Sequence, residues 1–181
     1  MQLKIERFDI VDTVCQTLFS LEHQIEEKHL EVRGLDRDKV FVEADQDLIH
    51  QVVYNLIENA TKFANDGGYL EFEFLKDNGK MMIGVKNSGE GLSREEIPRV
   101  FDRFYKTDRS RGLDKNGVGL GLYIVRSIVN LHGGEVIVKS VQGEYCEFLF
   151  TLPPAKGQPK LRKDKTPKIE EANDSDTSEE R

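Results

Sequence analysis

Cysteine is scarce: Cys15 and Cys146 are the only two in 181 residues. They stand far apart in apolar patterns. That speaks against a disulfide framework or a zinc site and predicts two buried thiols of a reducing compartment. No run of about 18 apolar residues occurs, and no charged-then-apolar leader opens the chain. The segment is therefore expected neither to cross a membrane nor to carry its own export signal. An excess of positive charge is also missing: 26 Lys and Arg stand against 33 Asp and Glu, a formal net charge of −7. Such a chain is a poor candidate for gripping a phosphate backbone by bulk charge, and no nucleic-acid partner is expected.

What is there divides in two. Hydrophobic residues make up 38% and charged residues 33%, more polar than an average globular chain, so part of it is expected to be unfolded. The composition changes at Pro153-Pro154, and beyond it no apolar period survives. Lys156 to Lys168 is mostly basic and Glu170 to Glu180 acidic, and over residues 155–181 seven positive and seven negative charges cancel. Residues 155–181 are expected to be a disordered charged tail, because they bury too little to offset chain entropy. Residues 1–154 suffice for one core.

Within that body, Phe8 to Glu27 carries a helical stripe of Ile10, Val11, Val14, Cys15, Leu18, Leu21 and Ile25. Leu30 to Leu35 and Val40 to Val42 read as short strands around a polar turn. Asp45 is a plausible N-cap for a long helix with the stripe Leu48, Ile49, Val52, Val53, Leu56, Ile57 and Ala60. Tyr69 to Leu75 and Met81 to Val85 form a hairpin around Asp77-Asn78-Gly79-Lys80. A helix over Leu120 to Leu131 stops at His132-Gly133-Gly134, and Glu135 to Val141 with Cys146 to Leu152 make a last strand pair. Strands paired through short turns, with helices between the pairs, predict a two-layer α/β sandwich on a mixed or antiparallel sheet. A doubly wound parallel sheet would need strands alternating singly with helices.

Three segments stand out chemically. Asn55, Asn59 and Lys62 share one face of the long helix, and two amides with an ammonium there are costly to bury without partners. Asn87-Ser88-Gly89-Glu90-Gly91-Leu92 follows a strand directly, and its alternate glycines permit close backbone approach to a ligand. Gly117-Val118-Gly119-Leu120-Gly121-Leu122 feeds a helix N-terminus, where free N–H groups favour anions. Neither the dinucleotide fingerprint nor the P-loop pattern is matched. Between the last two lies a long polar stretch, Ser93 to Asn116, with Phe101-Asp102-Arg103-Phe104-Tyr105-Lys106 near its centre. Loops of this length are often lids.

Taken in order, these four segments resemble the boxes of the catalytic, ATP-binding domain of sensor histidine kinases, of the fold class shared with gyrase B, Hsp90 and MutL. The resemblance runs from about Phe8 to Pro153. It implies three main helices over one face of a mixed, about five-stranded sheet, with an ATP lid. It implies Mg-ATP as the ligand, with Asn59 holding Mg²⁺ through its amide oxygen. Asn55 would face the same metal and phosphates, Lys62 would neutralise phosphate charge, and Phe63 would wall the site. Asn87, Gly89, Gly91 and Leu92 would hold adenine. Phe104, Lys106 and Arg111 would belong to the lid, and Gly117, Val118, Gly119, Leu120 and Gly121 would fold over the triphosphate. Related ATP hydrolases carry a glutamate at the position of Asn55. An amide cannot act as a base, which favours transfer to an external acceptor over hydrolysis.

Two departures bear on affinity. The family usually has an aspartate where this chain has Asn87. A neutral bond of about 1 kcal/mol in place of a charged one of about 1.5–3 predicts roughly a few-fold to tenfold weaker binding. The last strand pair has Tyr145-Cys146-Glu147-Phe148 where a threonine-bearing Gly-Thr-Thr-Phe is common. None of His23, His29, His50 and His132 has the setting of a phosphoacceptor. The resemblance therefore implies a γ-phosphoryl donor to a histidine on a dimerisation domain outside this chain, then to an aspartate of a response regulator. It implies the cytoplasmic portion of a membrane-bound sensor kinase, monomeric when isolated. The alternative is a nucleotide-gated regulatory module in which the Asn87 change has reduced turnover.

Overall fold

The computed structural model describes residues 2–77, 79–107 and 120–153. In chain order the elements are β1 (Ile5–Asp9), α1 (Ile10–Ser20), α2 (Glu22–Glu27), β2 (Glu31–Arg33), β3 (Phe41–Asp45), α3 (Gln46–Phe63), β4 (Tyr69–Asp77), β5 (Lys80–Ser88), a 3₁₀ turn (Ile97–Arg99), α4 (Gly121–Leu131), β6 (Val136–Val141) and β7 (Tyr145–Leu152). The main sheet has five strands in the order β2-β4-β5-β7-β6, with β2 parallel to β4 and the other pairs antiparallel. β1 and β3 form a separate antiparallel pair. The mixed five-stranded sheet under three main helices, α1, α3 and α4, is the expected sandwich.

One sheet face is apolar and takes the helices. Leu70, Phe72 and Phe74 of β4 align with Asn87, Val85 and Ile83 of β5, and these with Cys146, Phe148 and Phe150 of β7. They join one core with Ile49, Val52, Val53, Leu56 and Ile57 of α3 and Val125, Ile128 and Val129 of α4. The opposite face carries a row of alternating charge, Arg33, Glu71, Lys86, Glu147 and Lys139, one residue from each strand in register. Period-two alternation along the strands sorts the two sets.

The N-terminal region differs from its sequence reading. Phe8 and Asp9, expected in the helix, end a strand over Ile5–Asp9, and α1 starts only at Ile10, capped by the Asp9 carboxylate accepting from Val11 N–H. The single helix expected over Phe8 to Glu27 breaks at Leu21 into α1 and α2. Cys15 is exposed, against expectation, while Cys146 is buried. The inward positions of α1 include Thr13 and Thr17, whose hydroxyls donate to the carbonyls of Asp9 and Thr13 at 3.5 and 2.9 Å. With their hydroxyls bonded to their own helix, the threonines take core sites, and Cys15 turns outward. Of the strands read at Leu30 to Leu35 and Val40 to Val42, the first is shorter, Glu31–Arg33, and the second longer and shifted, Phe41–Asp45, and the two do not pair with each other.

Elsewhere the local signals hold. Asp45 caps α3 by accepting from Leu48 N–H at 3.2 Å. That bond and one from Lys4 N–H, the larger cause, hold its carboxyl below the ordinary range. Gly133, at φ 74, ends α4 with its N–H on Asn130 carbonyl. His132 ties this end to α3: its Nε2 accepts from Asp45 N–H at 3.0 Å, and its Nδ1 lies 2.8 Å from Ile128 carbonyl. The tautomer with its proton on Nδ1 satisfies both partners.

Candidate nucleotide site at the end of α3

The second half of α3 presents Asn55, Asn59 and Lys62, all half-buried, flanking its buried stripe. Successive turns bring the three onto one side. Asn55 Nδ2 donates to Gly121 carbonyl at 3.4 Å, which sets this face against the first turn of α4. α4 has no side-chain N-cap, so its first N–H groups form a positive helix end beside Asn55. Asn59 makes no side-chain bond with any described residue. Its amide oxygen is a hard donor suited to a small divalent cation, with water and phosphate oxygens completing the shell. Lys62 Nζ lies 5.8 Å from the Phe63 ring centroid.

The end of β5 and the turn after it close the site from the sheet side. Asn87 is 2% exposed and its Nδ2 donates to Ser88 carbonyl at 2.9 Å. Only the amide nitrogen can meet a carbonyl, so the oxygen is left as the acceptor. Ala64 bridges to Gly89, and a side chain on Gly89 would stand 2.5 Å from Phe63 carbonyl. Gly91 has φ 69, and a Cβ there would lie 2.7 Å from Ser140 Oγ and 2.9 Å from the carbonyls of Tyr145 and Val141. Glycine is required at both positions by close approach as well as by φ. Leu92, half-buried, packs against the core, and its N–H donates to Ser140 Oγ, which donates onward to Tyr145 carbonyl, each at 2.8 Å. Gly89 N–H on Glu144 carbonyl and Gly143 N–H on Glu90 carbonyl complete a clip between this turn and the β6–β7 hairpin.

Ser140 and Tyr145 thus support the glycine turn, a role the sequence does not announce because the partners lie 48 residues apart in the Leu92–Ser140 bond. Cys146 sits opposite Asn87 on the core face. Burial pushes its thiol up to about 12, against a smaller lowering by a hydrogen bond with Ser140. At the position next to Asn87 the chain therefore offers a neutral thiol and no hydroxyl.

The two phenylalanines of the Phe101–Lys106 segment separate. Phe101 is buried and meets Phe148 edge-to-face, centroids 5.7 Å apart. Phe104 is 61% exposed, at φ 64, with the Arg103 guanidinium 5.0 Å from its ring. Packing accounts for Phe101 and not for Phe104. Lys106, one residue before the described segment ends, and Leu120, where the next begins, are half-buried. Arg111, Gly117, Val118, Gly119 and the tail over 155–181 lie outside the described residues. Among the described residues there is no group of three or more His, Cys, Asp or Glu that could hold a metal ion.

A sequence model of the family described as histidine kinase-, DNA gyrase B-, and HSP90-like ATPase matches residues 44–156. The sensor histidine kinase WalK of Bacillus subtilis (strain 168) is 35% identical over 156 residues, covering 84% of this chain and 23% of that protein. The sensor protein SrrB of Staphylococcus aureus (strain NCTC 8325 / PS 47) is 38% identical over 109 residues, 60% of this chain and 19% of that protein. The chain thus spans about a quarter or less of these relatives. Among solved structures, the nucleotide-free catalytic domain of histidine kinase ThkA superposes with a TM-score of 0.72 at 25% identity, covering 84% of this chain and 97% of that one. Full-length ShkA in complex with AMPPNP gives 0.73 at 25% identity, covering 86% and 32%.

Proposed function

The chain belongs to the family of histidine kinase-, DNA gyrase B-, and HSP90-like ATPases, and from that premise we propose that it is the Mg-ATP-binding catalytic domain of a two-component sensor kinase. It donates the γ-phosphoryl group to a histidine on a dimerisation domain of the parent protein, and a response regulator receives it next. The observation that carries this reading is the shared face of Asn55, Asn59 and Lys62, set between the positive end of α4 and the clipped Gly89–Gly91 turn. In this reading Asn59 holds Mg²⁺, which supplies charge neutralisation at the phosphates when bound. Lys62 and Lys106 add positive charge, and Arg111 and the backbone N–H groups of Gly117–Gly121 are further candidates to meet the triphosphate. Phe63 walls the site. Asn87 accepts from the adenine amino group through its Oδ1, with Gly89, Gly91 and Leu92 shaping the adenine end.

Catalysis in such a site is positioning and electrostatic stabilisation rather than covalent chemistry by the protein. Asn55 positions and cannot take a proton, so water is not activated there and the phosphoryl group waits for its histidine acceptor. No described helix is long and apolar enough to cross a membrane. Membrane attachment and dimerisation belong, in this reading, to parts of the parent kinase beyond the segment, which acts on the cytoplasmic side.

The test is titration of the full chain with ATP, with and without Mg²⁺, beside Asn59→Ala and Asn87→Asp. Saturable binding that needs Asn59 and tightens several-fold with Asn87→Asp is expected, followed by phosphotransfer to a supplied dimerisation domain. Binding without transfer would favour the nucleotide-gated module. No binding by any version would overturn the nucleotide reading.

A further inference from the structure

The last four carbonyls of a helix have no donors within it, and on α3 these belong to Ala60, Thr61, Lys62 and Phe63, where the site residues are carried. Ala60 carbonyl receives Ala64 N–H at 2.9 Å. Phe63 carbonyl abuts Gly89. The carbonyls of Thr61 and Lys62, and that of the cap residue Ala64, converge on one ammonium: Lys28 Nζ donates to them at 3.0, 2.7 and 2.9 Å. An ammonium has three N–H groups, and all three are used here. Each bond is charge-assisted, and the cation stands at the negative end of the α3 dipole.

Lys28 is itself held. Its carbonyl accepts Gly67 N–H at 2.8 Å and its N–H donates to Gln24 carbonyl, so the α2–β2 corner is locked to the α3–β4 turn. The following residue, His29, takes φ 54 to turn the chain there. The adenine side is secured separately, by Gly89 N–H on Glu144 and by Ser140 on Leu92.

We propose that Lys28 is a positioning residue for the phosphate and metal end of the site. It touches no nucleotide. It fixes the terminal turn of α3 and with it the presentation of Asn59 and Lys62. The inference rests on the reading of this face as the Mg-ATP site.

The experiment compares the full chain with Lys28→Met, which keeps the stem and removes the donors, and Lys28→Arg, which restores a cationic donor. Affinity for ATP is measured in Mg²⁺ and in EDTA, with amide hydrogen exchange read at Ala64 and Gly67 without nucleotide. In Lys28→Met the gain in affinity that Mg²⁺ confers should shrink about tenfold, the low end for loss of a partner that orients a metal ligand. The EDTA value should stay within about twofold, exchange at Ala64 and Gly67 should quicken, and Lys28→Arg should recover part of the Mg²⁺ gain. If Lys28→Met does not fold, Lys28→Gln, with two amide donors, replaces it. Unchanged Mg-ATP affinity would overturn the proposal, and so would an equal loss with and without Mg²⁺, which marks a purely structural role. A parent chain that binds no ATP would overturn the nucleotide reading first, and the positioning role with it.

Discussion

Replacing Glu147 with glutamine should stabilise the domain at neutral pH and flatten its pH profile. Glu147 lies on the charged face of β7, is only 7% exposed, and its Oε1 is buried without a hydrogen-bond partner. The carboxylate leans across Gly84, where an added Cβ would come within 2.8 Å of that oxygen and 3.5 Å of Glu73 Cβ. Burial raises the Glu147 pKa first and the neighbouring Glu73 raises it further, while Lys86 and Lys139 pull it down. Lys86 is already engaged, 3.7 Å from Glu71 and 4.2 Å from the Tyr145 ring centroid. A raised carboxyl pKa contributes stability that is fully present below the unfolded value, ordinarily 4.5, and is lost as pH rises through the folded value. Above that point a buried oxygen stands without a donor, at a cost of about 1–3 kcal/mol. Glutamine removes the like-charge contact and offers its NH₂ to Glu73. A gain of about 1–2 kcal/mol corresponds to roughly 2–8 °C in Tm for a domain of this size. Thermal unfolding between pH 4 and pH 9, for Glu147→Gln, Glu73→Gln and the double variant, reads the effect and its coupling. At pH 4 parent and Glu147→Gln should nearly coincide. A lower Tm for Glu147→Gln at neutral pH would refute the reasoning, because it would mean that a lysine pairs with the carboxylate.

Gly91→Ala should cost about 1–3 kcal/mol of stability, because its φ and three contacts under 3.0 Å forbid a side chain, and it should weaken ATP binding in the same titration. Under native conditions iodoacetamide should add once per chain, at exposed Cys15, and spare buried Cys146, whose thiol is pushed up to about 12; peptide mass spectrometry checks the site. His132→Phe should cost about 1–3 kcal/mol in urea unfolding, because Asp45 N–H loses its acceptor between α4 and α3. Leu56→Ala, at 0% exposure in the α3 stripe, should cost about 2–5 kcal/mol by the same assay.

Local chemistry in this chain is legible and long-range pairing is not. The α3 stripe, its Asp45 cap, the β4–β5 hairpin and the glycine stop after α4 all follow from periodicity and capping, and all are present. The face of Asn55, Asn59 and Lys62 follows from helical spacing alone. β1 escapes because five residues with one buried position carry no clear period. The break at Leu21 carries no glycine or proline to mark it. β2 reads as a strand, yet nothing in three residues says that it will lie parallel to β4 while β3 leaves for β1. Thr13 and Thr17 look polar and are core, because a hydroxyl can return to its own helix. Lys28 and Ser140 serve the site through contacts 33 and 48 residues away, which no local pattern encodes.

The charged row across the sheet has a further consequence at its two ends. It opens on β2 with Arg33 and closes on β6 with Lys139, so both open edges of the sheet present a cation. A second copy that tried to extend the sheet, β6 against β6 or β6 against β2 in this row, would set like charges side by side. Open strands are templates for unwanted association, and charged residues on them are a common defence. A ladder that alternates sign within one sheet is thus mismatched to its own copy, and the row that crosses five strands discourages a sixth from another chain.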